Sequence, residues 1–213
     1  MASDKMVPAN AALDSPVTIT PGDKPAVVAP LVSILIPCCG MLEYTKLLIP
    51  SLLKNTRAPY ELIFLDVGSL DGTAEYLAGL ATVHASLRIE IVRTPTDLGI
   101  PEACKEALAK VRGEYVVLLN NDTIVTNGWL NQLIGLVNMS PTVGLAGPMS
   151  NYAAPPQLVE TIPYRSGLRK GVERSGLPTA LVDTEAVNRF ALEFVSRISA
   201  SGWRPSGLAV SAF

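Results

Sequence analysis

The chain has 213 residues, of which 48% are hydrophobic, so it can bury a sizeable core and one main domain is expected. Its 17 basic and 19 acidic residues give a formal net charge of -2, which argues against a nucleic-acid partner bound through bulk positive charge. The three cysteines show neither C-x-x-C nor Cys/His spacing, so we expect no disulfide framework, no zinc site and a reducing cytoplasm. The sequence carries no signal-peptide pattern and no long apolar run, so neither export nor a membrane span is expected.

Residues 1–30 are rich in Ala, Pro, Asp and Thr without periodicity, and we interpret them as a flexible leader. Short apolar runs with β-branched residues then recur at intervals of 27 to 29 residues, the length of a β-α unit. They lie at 32–36, 61–65, 88–92, 115–119 and 143–147. Because most of these runs are continuous rather than alternating, they predict strands that are covered on both faces of a parallel sheet.

The intervals between these runs have the apolar spacing of amphipathic helices. The expected helix boundaries are Asp71 as an N-cap, Pro101 in a first turn, Gly113 as a stop, and Thr126 or Asn127 as a cap. Pro50 should kink the first helix or shift its boundary. The alternation of strands and helices predicts an α/β fold with a doubly wound, mostly parallel sheet and helices on both faces. Beyond Pro148 we expect a loop and one last amphipathic helix, followed by an end with neither helix nor strand.

Polar residues follow several of the predicted strands, and in open α/β sheets ligands bind at these carboxyl ends. The candidates are Pro37, Asp66, Gly68, Asp97, Gly99, Asn120, Asn121 and Asp122. No P-loop or G-x-G-x-x-G motif is present, which disfavours those phosphate-binding folds. Carboxylates at three strand ends suit a nucleotide diphosphate held through Mg²⁺ or Mn²⁺, with Asp122 as a metal ligand. The alternative is that Asn120 and Asp122 only turn the chain and cap the next helix.

Five segments resemble, in order, the motifs of family-2 glycosyltransferases, whose nucleotide-binding half has the GT-A fold. They are V-S-I-L-I-P, E-L-I-F-L-D-V-G-S-L-D-G-T, the Asp97-Leu98-Gly99 turn, R-G-E-Y-V-V-L-L-N-N-D-T-I-V and N-G-W-L, between about Val32 and Asn151. The resemblance implies inverting transfer of a sugar from a nucleotide diphosphate-sugar, assisted by Mg²⁺ or Mn²⁺. In it, N-N-D stands where the family has its D-x-D-type motif.

The same resemblance implies individual roles at the donor site. Asp122 would bind the metal, Asn121 would lie near the ribose and Asp66 near the nucleoside. The L-L-N-N-D form resembles members that build cell-surface polysaccharides, including rhamnosyltransferase-like ones. The implied acceptor is a glycan, a lipid-linked molecule or a protein, and the implied location is the cytoplasm or the inner face of the membrane.

The sequence departs from the family pattern at several points. Val67 replaces a usual polar residue, Asp97 replaces a usual Asn, and Cys38-Cys39-Gly40 replaces a more usual segment after Pro37. After residue 150 the acids are Glu160, Glu173, Asp183, Glu185 and Glu193, with no adjacent pair to suggest a general base. We therefore expect residues 31–151 to be a donor-binding half and 152–213 an incomplete acceptor region. A truncated, catalytically silent nucleotide-binding relative is the alternative.

Overall fold

The computed structural model describes residues 32–95, 99–151, 155, 157–164, 183–200 and 209–210. Strands and helices alternate along this part of the chain. Their bounds are β1 Val32–Cys38, α1 Leu42–Asn55, β2 Tyr60–Val67, α2 Thr73–Val83, β3 Ile89–Thr94, α3 Gly99–Leu108, β4 Tyr115–Leu118, α4 Trp129–Val137, β5 Pro148–Met149, α5 Thr184–Ala200 and β6 Ala209–Val210. The first four predicted strands are thus confirmed, each to within a few residues.

The main sheet has the strand order β3-β2-β1-β4, and all of its strand pairs are parallel. The two central strands are almost completely buried, whereas β4 alternates between half-buried and exposed residues. Continuous burial is expected where helices cover both faces of a parallel sheet. A separate parallel pair joins β5 to β6, so the expectation of no strand near the end is wrong at Ala209–Val210.

Helices pack on both faces of the sheet because successive strand residues point to opposite sides. Ile34, Ile36 and Phe64 pack with α1, α2 and α4 on one face. Leu35 and Ile63 pack with α3 on the other. Full burial of each such side chain contributes about 1.5–3 kcal/mol, so the two layers are the main source of stability. The doubly wound α/β prediction is confirmed.

At the amino ends of the strands a buried carboxylate joins four segments of the chain. Glu61, at the start of β2, accepts hydrogen bonds from the Ser33 hydroxyl and from the Arg112 backbone N–H, the latter at 2.8 Å. Its other oxygen forms an ion pair with Arg88, just before β3. The Gly113 N–H donates to Ser33 Oγ at 2.8 Å, which brings the approach to β4 against β1. We call these residues the Glu61 cluster.

Gly113 is predicted to be needed for this close approach. A Cβ at residue 113 would lie 2.5 Å from the Ser33 backbone nitrogen and 2.7 Å from the Val32 carbonyl carbon. We expect Gly113→Ala to lower the free energy of unfolding by about 1–3 kcal/mol, measured by urea titration, because backbone must shift. Gly79→Ala is the control, since a Cβ there meets nothing within 4 Å and alanine favours the helix. Equal stability of Gly113→Ala and wild type would contradict the prediction.

Several predicted boundaries are wrong. Residues 143–147 form no strand, and Leu145 is 90% exposed; two glycines interrupt the run, which disfavours a strand. Gly113 does not stop α3, which ends at Leu108. The N-caps of α2 and α4 are Gly72 and Gly128 instead of Asp71 and Thr126 or Asn127. Both cap residues have φ near +80 to +90°, a conformation that favours glycine.

Two further expectations concern helix length. Pro50 lies inside α1 at an exposed position, and the helix continues to Asn55, so this proline does not move the boundary. Pro101 lies in the first turn of α3, as predicted. Of the helices in the described part of the chain, none combines the length and apolar character that crossing a membrane requires.

Candidate functional site

The carboxyl ends of β1, β2 and β4 meet at one edge of the sheet through hydrogen bonds between their loops. The Gly40 N–H, after β1, donates to Ser69 Oγ, after β2, at 2.8 Å. The Asn121 side-chain amide, after β4, donates to the Gly40 carbonyl oxygen at 3.1 Å. The strand ends that sequence reasoning grouped are therefore neighbours in space. Asp97 lies outside the described residues.

Asp66 is fully buried at the end of β2. One carboxylate oxygen accepts the Ser69 N–H at 2.9 Å. The other has no hydrogen-bond partner in the described structure and lies 3.4 Å from Arg93 Nε. The hydroxyl of Thr94, at the neighbouring strand end, is also buried without a hydrogen-bond partner there. Since buried polar atoms are normally hydrogen-bonded, these two atoms lack the partner that such atoms usually have.

Arg93 is a site residue that sequence reasoning missed. Its side chain is 56% exposed, and besides lying near Asp66 it donates to the Ser69 carbonyl oxygen at 3.3 Å. It therefore ties the end of β3 to the loop after β2. The sequence does place Arg93 beside Thr94 at the end of a predicted strand. A cation at that position can face Asp66, the carboxylate that ends the preceding predicted strand.

The loop from Cys39 to Met41 has an unusual backbone. Gly40 and Met41 both have positive φ, of 72° and 62°, and Met41 is the only such non-glycine residue in the described parts of the chain. The left-handed conformation costs a non-glycine residue roughly 1–2 kcal/mol, so surrounding contacts must hold it. Asp71 supplies one, because its Oδ2 accepts the Leu42 N–H at 2.9 Å.

Asp71 also serves the start of α2. Its Oδ1 accepts the Thr73 hydroxyl at 2.6 Å and the Thr73 N–H at 3.2 Å. These hydrogen bonds lower the pKa of Asp71 below its usual value, and the one from the Thr73 hydroxyl has the largest effect. A single carboxylate, one residue before the N-cap, therefore joins the beginnings of α1 and α2.

The N-N-D segment presents its side chains in two directions. Asn120 and Asp122 are exposed, whereas Asn121 is half-buried and donates from Nδ2 to the Gly40 carbonyl oxygen and to Thr45 Oγ1, each at 3.1 Å. Of the three side chains, those of Asn120 and Asp122 are therefore open to solvent at the strand ends.

The chain after Asp122 is fixed against α1. The Val125 N–H donates to Ser51 Oγ at 3.3 Å, and the Val125 carbonyl oxygen accepts the Asn55 side-chain amide at 2.9 Å. Trp129 is 2% exposed, and its indole N–H donates to Thr56 Oγ1 at 3.1 Å. The exposed carboxylate of Asp122 is therefore attached to an ordered segment.

A cation at this site would rely on few protein ligands. The described residues contain no group of three or more His, Cys, Asp or Glu side chains that could hold a metal ion. Mg²⁺, and by the same oxygen preference Mn²⁺, can use one or two carboxylates and complete the shell with water and phosphate oxygens. The exposed Asp122 fits that mode, in which nucleotide supplies most of the remaining oxygens.

The other predicted residues are distributed around this edge. Pro37 is buried within β1, Gly68 follows β2 with φ of 58°, and Gly99 is the first residue of α3 with φ of 75°. Val67, the unusual residue after Asp66, is 6% exposed and packs in the α3 layer. The three cysteines are free, as expected; Cys38 is buried and Cys39 exposed. Burial raises the pKa of the Cys38 thiol to about 12, so it is not an activated nucleophile.

The acids of the last segment form no cluster where they are described. Asp183 accepts the Glu185 and Ala186 N–H groups at 3.1 and 3.0 Å and so caps α5, and Glu185 forms a 2.7 Å ion pair with Lys54. Glu160 and Glu193 are exposed, and Glu173 lies outside the described residues. None of the four described acids is identified as a general base.

Comparison with known proteins gives a family model, relatives and a similar fold. The model described as "Glycosyl transferase family 2" matches residues 33–169. An uncharacterized glycosyltransferase of Haemophilus influenzae is 29% identical over 58% of this chain and 48% of its own length. The putative teichuronic acid biosynthesis glycosyltransferase TuaG of Bacillus subtilis is 30% identical over 44% of this chain and 36% of its own length. The chain thus spans less than half of either relative.

The mannosyltransferase PcManGT of Pyrobaculum calidifontis, solved with GDP-Man and Mn²⁺, has a similar fold. It gives a TM-score of 0.50 at 23% identity over 55% of this chain and 35% of its own. This likeness concerns the fold alone and agrees with the GT-A expectation. The family model covers well over half of the sequence, including β1 to β4 and the N-N-D segment. The chain is therefore a member of glycosyl transferase family 2.

Proposed function

We propose that this chain binds a nucleotide diphosphate-sugar at the carboxyl edge of the sheet and transfers its sugar to an acceptor hydroxyl. The observation that supports this most directly is the buried Asp66 carboxylate, whose Oδ2 accepts no hydrogen bond in the described structure and has Arg93 Nε 3.4 Å away as its charged neighbour. A nucleoside could donate a hydrogen bond to this oxygen. The loop after β1 contacts both Ser69, which follows β2, and Asn121, which precedes Asp122, and these contacts support a single site for Asp66 and Asp122.

Within this proposal the donor spans the strand ends. Asp66 lies at the nucleoside, while Pro37, Gly68, Asp97 and Gly99 border the nucleotide. Asp122 holds Mg²⁺ or Mn²⁺ against the diphosphate, and exposed Asn120 is available to a sugar or ribose hydroxyl. When bound, the cation neutralises charge on the leaving diphosphate. The Mn²⁺ and GDP-Man of the mannosyltransferase with a similar fold are consistent with these roles.

We further propose that transfer inverts the anomeric configuration, as the family resemblance implies. The acceptor oxygen then forms a bond to the anomeric carbon on the face opposite the departing diphosphate, and a base takes its proton. No residue is assigned to that step. A glycan, a lipid-linked molecule or a protein is the proposed acceptor, and the teichuronic acid relative favours polysaccharide synthesis. Three free cysteines favour a cytoplasmic location, at the inner face of the membrane if the acceptor is lipid-linked.

A thermal-shift series tests the donor site. Purified chain is melted with Mn²⁺ and UDP, GDP or dTDP, each with and without the metal. A nucleotide at about 100 times its dissociation constant stabilises the folded state by roughly 2.7 kcal/mol, an easily measured rise in Tm. We expect such a rise, dependent on Mn²⁺, with one of the three nucleotides. Cooperative melting with no shift for any nucleotide would contradict the proposal.

The second candidate is a catalytically silent nucleotide-binding relative. It is favoured by the acids after residue 150, because two of the four described are engaged in a helix cap and an ion pair. Turnover distinguishes the candidates. Release of nucleotide diphosphate from a nucleotide-sugar in the presence of acceptors would establish the enzyme, whereas metal-dependent binding without release would support the silent relative.

A further inference from the structure

We propose that Asn121 is a positioning residue that fixes Asp122 through the loop after β1, and that its side-chain N–H groups do not bind the ribose. This inference rests on the proposed donor site and refines it. The N-N-D segment would then divide its work, with Asn120 and Asp122 facing the ligand and Asn121 facing the protein.

The Asn121 side-chain amide uses its hydrogen-bond donors within the protein. Its Nδ2 has two hydrogens, and it has two acceptors at 3.1 Å, the Gly40 carbonyl oxygen and Thr45 Oγ1. Thr45 is fully buried in α1. Both donor positions are therefore occupied by protein atoms, and a ribose hydroxyl could receive a hydrogen bond from Nδ2 only if one of them were released.

Gly40 is held at both its carbonyl oxygen and its N–H group. Its carbonyl oxygen accepts from Asn121, and its N–H donates to Ser69 Oγ at 2.8 Å. The Ser69 N–H in turn donates to Asp66 Oδ1 at 2.9 Å. An unbroken series of contacts therefore runs from the nucleoside-side carboxylate to the residue that precedes the metal-side carboxylate.

The loop from Cys39 to Met41 needs support from residues outside it. Gly40 and Met41 have consecutive positive φ values, and Met41 adopts the left-handed conformation without the freedom of glycine. If the Asn121 contact were lost, the Gly40 carbonyl would be released and the strained turn could relax. Asp122 would then lose its fixed relation to the loop after β1.

The Asn121→Asp variant separates positioning from electrostatics. Aspartate keeps the shape but has no N–H to donate, and it adds negative charge beside Asp122. If the added negative charge were the only effect of the substitution, Mn²⁺ would bind more tightly. We expect the reverse, a loss of about tenfold in Mn²⁺-dependent binding of UDP, GDP or dTDP, whichever shifts wild type, because two hydrogen bonds are lost.

Two comparisons sharpen this result. Asn131→Asp makes the same change of amide to carboxylate on an exposed residue of α4 and leaves the Gly40 contact intact, so nucleotide binding with Mn²⁺ should equal that of wild type. Thr45→Val removes one acceptor of the Asn121 amide and should weaken binding by a smaller factor, which Thr45→Ser should restore. Urea unfolding of each variant shows that the protein remains folded, and the Thr45 pair carries the test if Asn121→Asp does not fold.

A ligand-free measurement keeps this inference distinct from the proposed function. Amide hydrogen exchange of a peptide covering residues 39–42 should be faster in Asn121→Asp, because loss of the contact to the Gly40 carbonyl frees the loop that holds the Gly40 and Leu42 N–H groups against Ser69 and Asp71. Unchanged exchange, or binding as tight as wild type with Mn²⁺, would overturn the positioning role. If wild type binds no nucleotide, the proposed function and the role toward Asp122 both fail, and exchange alone decides whether Asn121 holds the loop.

Discussion

In the Asp122→Ala variant, Mn²⁺ is expected to give almost no increase in nucleotide-dependent stability. Asp122 is the exposed carboxylate at the end of β4, and no cluster of other metal-ligating side chains replaces it among the described residues. At a nucleotide concentration about 100 times the wild-type dissociation constant, wild type gains roughly 2.7 kcal/mol. A hundredfold loss of affinity would reduce this gain to about 0.4 kcal/mol by the same relation.

The control for this prediction is Glu106→Ala. Glu106 is an exposed carboxylate on α3, and its removal changes the net charge by the same amount away from the strand ends. Its Mn²⁺-dependent stabilisation should equal that of wild type. Because Asp122 is exposed, neither substitution should change the stability of the ligand-free protein by more than about 0.5 kcal/mol. A full Mn²⁺ response in Asp122→Ala would show that the cation is held elsewhere.

Glu61→Ala is expected to cause the largest loss of stability, about 3–5 kcal/mol in the free energy of unfolding. Glu61 is fully buried, and its removal would leave the Arg88 guanidinium, the Ser33 hydroxyl and the Arg112 N–H without their shared acceptor. Urea titration at neutral pH measures the loss. Glu90→Ala is the matched control. Glu90 is half-buried, and a partly exposed ion pair such as its 3.1 Å contact with Arg88 contributes little to stability. The substitution should cost less than about 1 kcal/mol.

The Glu61 cluster also predicts a response to acid. Burial by itself raises the pKa of Glu61, but the hydrogen bonds from Ser33 and Arg112 and the Arg88 charge outweigh it, so the pKa is lower than usual. A carboxylate with a lower pKa in the folded state stabilises the protein above its unfolded pKa of about 4.3, and this stabilisation is lost as pH falls through the folded value. Wild type should therefore lose stability below about pH 4.3. Glu61→Gln should lose less over the same range, and equal slopes would contradict the assignment.

Sequence reasoning located the sheet well because the information is local. The runs at Val32 and Glu61 are continuously apolar over several residues, which only strands with two covered faces require. The run at 143–147 misled because its composition resembles a strand while two glycines interrupt it and Leu145 is 90% exposed. Composition shows that a segment could be a strand, but its neighbours in space decide whether it becomes one.

The candidate site was predictable in outline and not in detail. That strand ends converge follows from parallel topology, which placed Asp66 and Asp122 on one edge. The inward direction of Asn121 was not predictable, because it depends on the Gly40 carbonyl oxygen 81 residues away in sequence. Arg93 was missed for a similar reason, since its relation to Asp66 depends on the pairing of β2 with β3.

The Glu61 cluster and the donor edge, as we call the carboxyl ends of the strands that carry the proposed donor site, lie at opposite ends of the same strands. Glu61 and Asp66 are five residues apart in β2, which corresponds to about 16 Å at the usual rise per residue. Substitutions at sites this far apart usually add independently in their effects on stability. The donor edge can therefore accumulate changes in ligand preference while the amino ends keep the sheet assembled. In a mutational screen that scores folding and nucleotide capture separately, the two ends of β2 should give two distinct classes of defective variant.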